Sequence, residues 1–282
     1  MELSSNGSAL GTFQAGSVPK GIAIDSQGNV WVTNYGSGNV SELSSSGSVL
    51  GTFQTGSGPQ GIAIDSQGNV WVANQGGGVT PVGNTITELA HNGTLLGTFQ
   101  VGVGPQDIAI DSSGNVWVTN YGSAASLGNT VTELSPSGAL LGTFQVGNGP
   151  QGIAIDPFGN VWVTNAGSDA VPGNSVTKLN SNGTMLGTFQ VGSQPRGIAV
   201  ETSGNVWVSN FGSITASGNT ITELSSTGAQ LKTLRVGNNP GGIVIDFSGS
   251  VWTANYYDDT VTVWHGATTG NHFSPYTGPI WP

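Results

Sequence analysis

The chain of 282 residues contains no cysteine, and charged residues make up only 7% of it. Without cysteine it can form neither a disulfide framework nor a thiolate metal site or nucleophile. Acidic residues outnumber basic ones by 15 to 5, and the resulting net charge of -10 disfavours nucleic acids and anionic membranes as partners. No apolar run approaches the roughly 20 residues of a membrane-spanning helix. We therefore expect no nucleic-acid partner and no membrane insertion.

A secretory signal is also absent from the start of the chain. A mature domain of a secreted protein would lack such a signal too. The absence of cysteine suits a secreted bacterial protein and equally a scaffold that is indifferent to its redox surroundings. Between these two we predict a secreted or cell-surface bacterial protein, and we expect it to be a monomer.

Glycine, in contrast, is abundant, with 47 residues, and Ser, Thr and Asn accompany it in short clusters. This composition is typical of all-β proteins that are built from short strands and many turns. No segment places apolar residues at helical spacing. The sequence therefore predicts strands and turns throughout.

One unit of sequence recurs six times. In its second copy it runs from Pro59 to Asn74 and reads Pro-Gln-Gly-Ile-Ala-Ile-Asp-Ser-Gln-Gly-Asn-Val-Trp-Val-Ala-Asn. The six prolines are 40 to 46 residues apart, at Pro19, Pro59, Pro105, Pro150, Pro195 and Pro240. Periods of about 40–45 residues are typical of β-propeller blades or helical arrays. The β-branched and aromatic residues of the unit favour the propeller.

Each repeat reads as four strands, which we name a to d. In the fourth repeat they are residues 152–156, 160–165, 175–179 and 185–190. Strands a and b are nearly continuous apolar runs, as expected where both faces of a sheet are covered. Asp-x-x-Gly-Asn and Ser-x-x-Gly form tight turns between strands. We predict an all-β fold, a six-bladed β-propeller of four-stranded antiparallel blades.

The ends of the chain indicate how such a ring closes. We expect residues 1–266 to form a single propeller, with blades that begin near residues 19, 59, 105, 150, 195 and 240, and residues 267–282 to form an irregular tail. The last repeat lacks a strand d, whereas residues 9–14 match strand d and have no blade of their own. We predict that this N-terminal outer strand completes blade six and removes an open sheet edge.

The repeat resembles a known family. Pro-x-Gly-Ile-Ala-Ile-Asp-x-x-Gly-Asn-Val-Trp-Val-Thr-Asn, followed by Val-Thr-Glu-Leu and Leu-Gly-Thr-Phe strands, resembles the NHL repeat and is similar to the blades of streptogramin (virginiamycin B) lyases. The resemblance covers residues 9–265. It implies the propeller fold but leaves the function open, since NHL-type propellers include binding platforms, sensor domains and a few enzymes.

The copies differ mainly at one end of the blades. The a–b and c–d turns repeat with little change, whereas the b–c loops vary, as in Tyr35–Gly38 and Tyr256–Asp259. Loops on a rigid scaffold often carry function. We therefore place a binding site on the face formed by the b–c and d–a loops, over the central channel. Neutral drift of unselected loops is the alternative explanation.

Three kinds of residue are candidate ligand contacts at the channel mouth: the residue after each proline, the asparagine that ends each strand b, and the aromatic residue that follows it. They are Lys20, Gln60, Gln106, Gln151 and Arg196; Asn34, Asn74, Asn120, Asn165, Asn210 and Asn255; and Tyr35, Tyr121, Phe211 and Tyr256. Amides and aromatic rings suit sugars or peptides. Alternatively, each asparagine bonds its own loop backbone, and we favour that interpretation for the asparagines.

Acidic residues recur at two positions of the repeat. Asp25, Asp65, Asp111, Asp156, Glu201 and Asp246 end strand a, and Glu42, Glu88, Glu133 and Glu223 lie on strand c. Clustered carboxylates would suit Ca²⁺. However, each aspartate opens an Asp-x-x-Gly turn, where it can accept backbone N–H groups, and we favour this turn role. We expect the strand c acids to form a solvated stripe.

The lyase resemblance implies a histidine general base with nearby acids and a divalent metal. His91, His265 and His272 lie in a c–d turn or near the C-terminus, away from the channel-mouth positions. Propellers of the gluconolactonase type hold calcium with Glu, Asn and Asp, whereas this channel mouth offers Asn and Asp107 without an evident Glu. We expect no cofactor, with Ca²⁺ or Mg²⁺ in the channel as the alternative.

These observations favour a non-catalytic function. We predict an NHL-type propeller that acts as a binding or interaction scaffold for a protein, peptide or glycan, through its variable loop face. The alternative is an enzyme, a metal-dependent lyase or hydrolase of the streptogramin lyase-like or gluconolactonase-like propeller class.

Overall fold

The computed structural model describes residues 2–3, 9–77, 82–123, 125–213, 216–265 and 273–274. All regular secondary structure in these residues is β-strand, in one two-stranded and six four-stranded sheets. Six consecutive four-stranded antiparallel sheets are the blades of a six-bladed β-propeller, so the predicted fold class is confirmed. In the described part of the chain no helix is long and apolar enough to cross a membrane.

Two compact units make up the chain: Met1–Ser123 with Thr132–Leu141 is unit 1, and Ala124–Val131 with Gly142–Pro282 is unit 2. Unit 1 begins with β1 (Glu2–Leu3) and β2 (Ala9–Gly11). Its blade 1 consists of β3 (Pro19–Ile24), β4 (Val30–Asn34), β5 (Asn39–Leu43) and β6 (Val49–Gln54). Its blade 2 consists of β7 (Pro59–Ile64), β8 (Val70–Gly76), β9 (Val82–Leu89) and β10 (Leu95–Gln100).

The boundary between the units passes through blade 3, which consists of β11 (Pro105–Ile110), β12 (Val116–Gly122), β13 (Leu127–Leu134) and β14 (Leu140–Gln145). In unit 2, blade 4 consists of β15 (Pro150–Ile155), β16 (Val161–Gly167), β17 (Pro172–Leu179) and β18 (Met185–Gln190). Blade 5 consists of β19 (Pro195–Val200), β20 (Val206–Gly212), β21 (Ser217–Leu224) and β22 (Gln230–Arg235). Blade 6 consists of β23 (Pro240–Ile245), β24 (Val251–Asn255), β25 (Thr260–Trp264) and β26 (Phe273–Ser274).

The prediction that residues 9–14 complete blade six is wrong. In the structure β2 pairs with β1, with Glu2 opposite Gly11. The fourth strand of blade 6 is β26, which comes from the predicted irregular tail and pairs with β25. Because the entropic cost of closing a loop grows with its length, pairing β2 with the nearby β1 costs less than pairing it with a strand at the far end of the chain.

Each blade is organised around a tryptophan of strand b. Trp31, Trp71, Trp117, Trp162 and Trp207 have no exposed surface. In unit 1, Trp31 lies in one buried cluster with Ile62 from strand a of the next blade, and in unit 2 Trp162 lies in one buried cluster with Val206 from strand b of the next blade. Phe53 of strand d stacks on Trp31, with 5.5 Å between the ring centroids. The apolar runs of strands a and b therefore bury each other between successive blades.

In blade 1, strand a is not covered by the tryptophan of a preceding blade. Ile22 and Ile24 of β3 are each 67% exposed, whereas the equivalent Ile62 of blade 2 is 9% exposed beneath Trp31. Blade 1 is the first blade of unit 1, so no earlier tryptophan in that unit covers its strand a. The burial of strand a thus depends on the preceding blade rather than on its own sequence.

The acid that ends strand a has the predicted turn role. Asp25 accepts the backbone N–H groups of Gln27 and Asn29, at 2.9 and 2.8 Å, and the indole N–H of Trp31 at 3.3 Å. The equivalent indole bonds of the other blades measure 2.6 to 3.2 Å, with Glu201 in place of aspartate in blade 5. Burial raises the pKa of Asp25, but these hydrogen bonds outweigh it and lower the pKa overall.

The prediction of a solvated stripe of strand c acids is wrong. Glu42, Glu88, Glu133 and Glu223 are 8, 7, 6 and 5% exposed. Strand c lies between strands b and d, and Glu88 stands opposite Trp71 in the register of blade 2. Burial, followed by the negative charge of Asp65, raises the pKa of Glu88. In blade 4 a lysine, Lys178, takes this position.

The raised pKa of Glu88 gives the protein a testable pH dependence. Because the folded pKa exceeds the unfolded one, the contribution of Glu88 to stability is fully present below the unfolded pKa and is lost as pH rises through the folded pKa. Glu88→Gln removes the charge and keeps the size. We expect it to raise Tm by roughly 2 °C at pH 7 and to have no effect near about pH 3, measured by calorimetry.

A matched control is Glu2→Gln, because Glu2 is exposed and its charge does not have to be buried. Its Tm should equal that of the unaltered chain at both pH values. A lower Tm of Glu88→Gln at pH 7 would show that the carboxylate stabilises the blade instead.

Candidate functional site

In every blade the proline that begins strand a pairs with the asparagine that ends the first part of strand b. The pairs are Pro19 with Asn34, Pro59 with Asn74, Pro105 with Asn120, Pro150 with Asn165, Pro195 with Asn210 and Pro240 with Asn255. This register brings the d–a and b–c loops of a blade to the same end, which we call the variable end. The residues after the proline and after the asparagine both lie there.

The six asparagines are structural at this end. They are between 0 and 2% exposed. Asn210 is representative: its Oδ1 accepts the N–H of Gly192 at 2.9 Å, and its Nδ2 donates to the hydroxyls of Thr220 and Thr222 at 3.0 and 2.9 Å. A Cβ on Gly192 would come within 2.4 Å of this side chain. Asn34, Asn74, Asn165 and Asn210 thus each accept an N–H group of the loop backbone, and a ligand would meet the other candidate residues.

Unit 1 places amide and aromatic side chains at its variable end. Gln60 donates through Nε2 to Oε1 of Gln75 at 2.7 Å, and Gln75 in turn donates through Nε2 to Oε1 of Gln106 at 2.5 Å. We call these three residues the glutamine chain, and all three are half-buried. In blade 1 the Nζ of Lys20 lies 5.9 Å from the ring centre of Tyr35. Tyr121 is half-buried at the equivalent position of blade 3.

Unit 2 has different side chains at its variable end, among them a stacked arginine and phenylalanine. The guanidinium of Arg196 stacks on the ring of Phe211 at 3.4 Å, and Phe211 is 6% exposed. Tyr256 lies 6.2 Å from Phe211 between ring centres and is 69% exposed. Gln151 is half-buried at the position that corresponds to Arg196. Cation and aromatic ring are therefore already paired in blade 5, while the ring of blade 6 remains open to solvent.

In blades 2, 5 and 6 the backbone carbonyl of the residue after the proline is bonded to the preceding blade. The hydroxyl of Thr33 donates to the carbonyl of Gln60 at 2.7 Å, and the hydroxyl of Thr164 donates to that of Arg196 at 2.9 Å. The same bond joins Ser209 to the residue after the last proline. The side chains that differ between blades thus project from a backbone that does not differ.

Sequence reasoning missed the residue before the proline. In blades 2, 3 and 4 this residue is a glycine with positive φ. In blades 5 and 6 it is Gln194 and Asn239, with φ of 46° and 53°, a conformation that L-residues seldom adopt. Gln194 donates to Asp169 at 3.0 Å, and Asn239 donates to the carbonyl of Phe211 at 2.9 Å. The sequence does contain a signal for these two residues, because Gln194 and Asn239 align with the glycines of blades 2, 3 and 4.

The glutamine chain also contains a residue that the sequence did not single out. Gln75 follows an asparagine, as the aromatic candidates do, but it is not aromatic and was passed over. Its amide joins Gln60 to Gln106, which come from successive blades. The signal that could have found it was its position, because it occupies the same place in the repeat as Tyr35 and Tyr121.

Two of the three histidines, His91 and His265, lie in the described part of the chain. His265 shares a 3.1 Å hydrogen bond with Ser250, and His91 lies in a c–d turn at the other end of blade 2, while His272 falls outside the described residues. Within the described ranges no group of three or more His, Asp or Glu side chains could hold a metal ion. The absence of a cofactor stays a prediction, and Ca²⁺ or Mg²⁺ in the channel stays its alternative.

The comparisons with known proteins agree on the fold. No protein-family model matches the chain, and none of the curated proteins matches it. A streptogramin B lyase structure is 19% identical, with a TM-score of 0.76 over 92% of this chain and 83% of that chain. Virginiamycin B lyase from Staphylococcus aureus is 18% identical, with a TM-score of 0.76 over 93% and 84%. Kuenenia stuttgartiensis hydrazine synthase is 17% identical, with a TM-score of 0.75 over 88% and 84%.

At these identities the likeness establishes the propeller fold and no more. The expected resemblance to streptogramin lyase propellers is confirmed at that level.

The structural role of the asparagines can be tested with Asn210→Ala. The substitution leaves the N–H of Gly192 and the hydroxyl of Thr222 without their partner inside the blade. We expect a loss of about 2 kcal/mol in the free energy of unfolding, measured by urea denaturation. Asn182→Ala in an exposed c–d turn is the control and should change stability by less than about 0.5 kcal/mol. Equal stability of both variants would contradict the structural role.

Proposed function

We propose that this protein is a non-catalytic binding protein whose ligand contacts the variable ends of the blades. One observation carries the proposal: the side chains that differ between the six copies lie at these ends and are arranged there in bonded sets. In the glutamine chain, amides of Gln60, Gln75 and Gln106 join successive blades at 2.7 and 2.5 Å. The opposite ends instead hold the nearly invariant turns of the acids and tryptophans.

The glutamine chain favours a neutral polar ligand. An amide both donates and accepts hydrogen bonds without carrying a charge. Sugar hydroxyls and peptide groups have the same dual character, so either could add to a chain of amides whose orientation is already set. The net charge of -10 makes a polyanionic ligand unfavourable. A glycan or a peptide is therefore the ligand class that the amide chemistry supports.

The test uses glycan and peptide arrays, followed by calorimetry with the best hit. We expect the unaltered chain to bind at least one neutral glycan or peptide, and Gln75→Ala to weaken that binding about tenfold, since one lost hydrogen bond of about 1–1.5 kcal/mol corresponds to roughly that factor. Gln67→Ala is the matched control, because Gln67 is an exposed glutamine at the opposite end of the same blade. It should bind as the unaltered chain does.

Two outcomes would contradict the proposal: no binding on either array, or equal losses for Gln75→Ala and Gln67→Ala.

The alternative is a metal-dependent lyase or hydrolase, and it has its own assay. One of the similar structures is a catalytically inactive virginiamycin B lyase with quinupristin. Quinupristin is therefore incubated with this protein and Mg²⁺ or Ca²⁺ and followed by mass spectrometry. If quinupristin were consumed only in the presence of the metal ion, the protein would be an enzyme and the binding proposal would be wrong.

A further inference from the structure

The b–c loop of blade 6 differs in chemistry from the equally short loop of blade 1. Four residues connect strands b and c in both blades, Tyr35-Gly36-Ser37-Gly38 in blade 1 and Tyr256-Tyr257-Asp258-Asp259 in blade 6. The backbone is similar, since the fourth residue has positive φ in each case, 66° at Gly38 and 51° at Asp259. Blade 6 thus presents a second tyrosine and two carboxylates on the same short loop.

The two tyrosines form an exposed corner. Their ring centres are 5.4 Å apart and their planes make an angle of 63°, so that one ring meets the other edge-on. Tyr256 is 69% and Tyr257 52% exposed. We call these two rings the tyrosine corner. Large aromatic side chains usually bury most of their surface. Two adjacent rings that are both exposed therefore form an apolar surface that a ligand could cover.

The loop that carries the corner is anchored. Asp258 accepts the backbone N–H of Asn238 through Oδ2 at 2.6 Å and the side-chain amide of Asn238 through Oδ1 at 2.9 Å. These bonds connect the b–c loop to the d–a loop of the same blade. Tyr256 is further supported by Phe211, 6.2 Å away between ring centres. The corner is therefore held in place before any ligand arrives.

Rings with an adjacent carboxylate attract cations. The face of an aromatic ring is electrostatically negative, and a cation over it gains energy that grows as water is removed. Asp259 follows the corner and is exposed, so its charge adds to the attraction. The same unit already contains such a contact, because the guanidinium of Arg196 lies 3.4 Å from the centre of the Phe211 ring. In the described part of the chain, no lysine or arginine lies over Tyr256 or Tyr257.

The kind of cation follows from what the loop can offer. A primary ammonium is strongly hydrated and needs several acceptors to replace its water. Beside the rings the loop offers it only the carboxylate of Asp259, because both oxygens of Asp258 already accept hydrogen bonds from Asn238. A quaternary ammonium has no N–H group to satisfy and binds through ring faces and charge alone, as in aromatic cages. The corner with one neighbouring carboxylate suits the second kind of cation better.

We propose that Tyr256, Tyr257 and Asp259 form a binding site for a quaternary ammonium group. The site is independent of the proposed function: it lies in unit 2, uses other side chains and takes a charged ligand, so it stands even if the glutamine chain of unit 1 binds nothing. The probes are tetramethylammonium and choline, titrated into the full chain by calorimetry, and we expect dissociation constants in the millimolar range.

Chemical controls separate charge from shape. The neutral tert-butyl isostere of choline has the same size without the charge and should bind at least fivefold more weakly than choline. Methylammonium should also bind more weakly than tetramethylammonium. Phosphatidylcholine vesicles show the source of the group: sedimentation of the protein with them indicates a lipid headgroup, and binding of free choline alone indicates a small ligand.

Variants of the loop complete the test. Tyr257→Ala should weaken choline binding at least fivefold, whereas Tyr257→Phe keeps the ring and should bind nearly as the unaltered chain does. Asp259→Gly suits the positive φ, and it should weaken binding and reduce its dependence on salt. Tyr35→Ala in blade 1 is the matched control and should have no effect.

The proposal is overturned if choline does not bind, if the neutral isostere or methylammonium binds as tightly, or if Tyr257→Ala binds choline unchanged. None of these results bears on the arrays that test the glutamine chain, so a failure of one proposal can be told from a failure of the other.

Discussion

The hydrogen bond from the buried tryptophan to the turn acid is the contact on which each blade depends. The indole N–H of Trp162 lies in the core and would cost about 1–3 kcal/mol if it had no acceptor. Asp156 accepts it at 3.0 Å and also accepts the N–H groups of Phe158 and Asn160 in the turn. One carboxylate thus joins the core to the a–b turn. The acid can be an aspartate or, in blade 5, a glutamate, but the loss of either partner would leave the other without its hydrogen bond, which explains why this end of the blade repeats with so little variation.

Where the repeat does change in the core, neighbouring positions change with it. Strand d of the first four blades reads Leu-Gly-Thr-Phe, and a Cβ on Gly187 would come within 2.8 Å of the Phe189 ring. Blade 5 has Leu234 in place of this phenylalanine, and Lys232 then fits where the glycine stood. Trp264 of blade 6 fills the missing ring, 5.2 Å from Trp207. The packing between blades therefore tolerates substitutions as sets rather than one at a time.

The sequence was sufficient for the fold because the period, the strand pattern and the turn residues all agree across six copies. It failed where a contact is not part of the repeat. The strand β26, which pairs with β25, has no counterpart in the other copies, so no alignment of copies could reveal it. The pairing of β2 with β1, in contrast, repeats the register of β6 with β5, because Glu2 lies opposite Gly11 as Glu42 lies opposite Gly51. The burial of Glu42 was also missed, because a charged residue on an alternating strand indicates solvent unless the covering turn, here Asn29 at 3.1 Å, is known. Gln75 was missed for a similar reason, since its bonds reach a different blade.

The two ends of a blade are subject to different constraints, and this difference is what makes a varied surface possible. At the variable end of blades 2, 5 and 6, the backbone carbonyl after the proline accepts a hydrogen bond from a hydroxyl of the preceding blade, as in Gln60 with Thr33 and Gly241 with Ser209. The buried asparagine holds the loop beside it. Where these bonds hold the backbone, the side chains that project from it can differ from blade to blade without moving it. Neighbouring blades can then carry amides in one place and aromatic rings with carboxylates in another without any change in the scaffold.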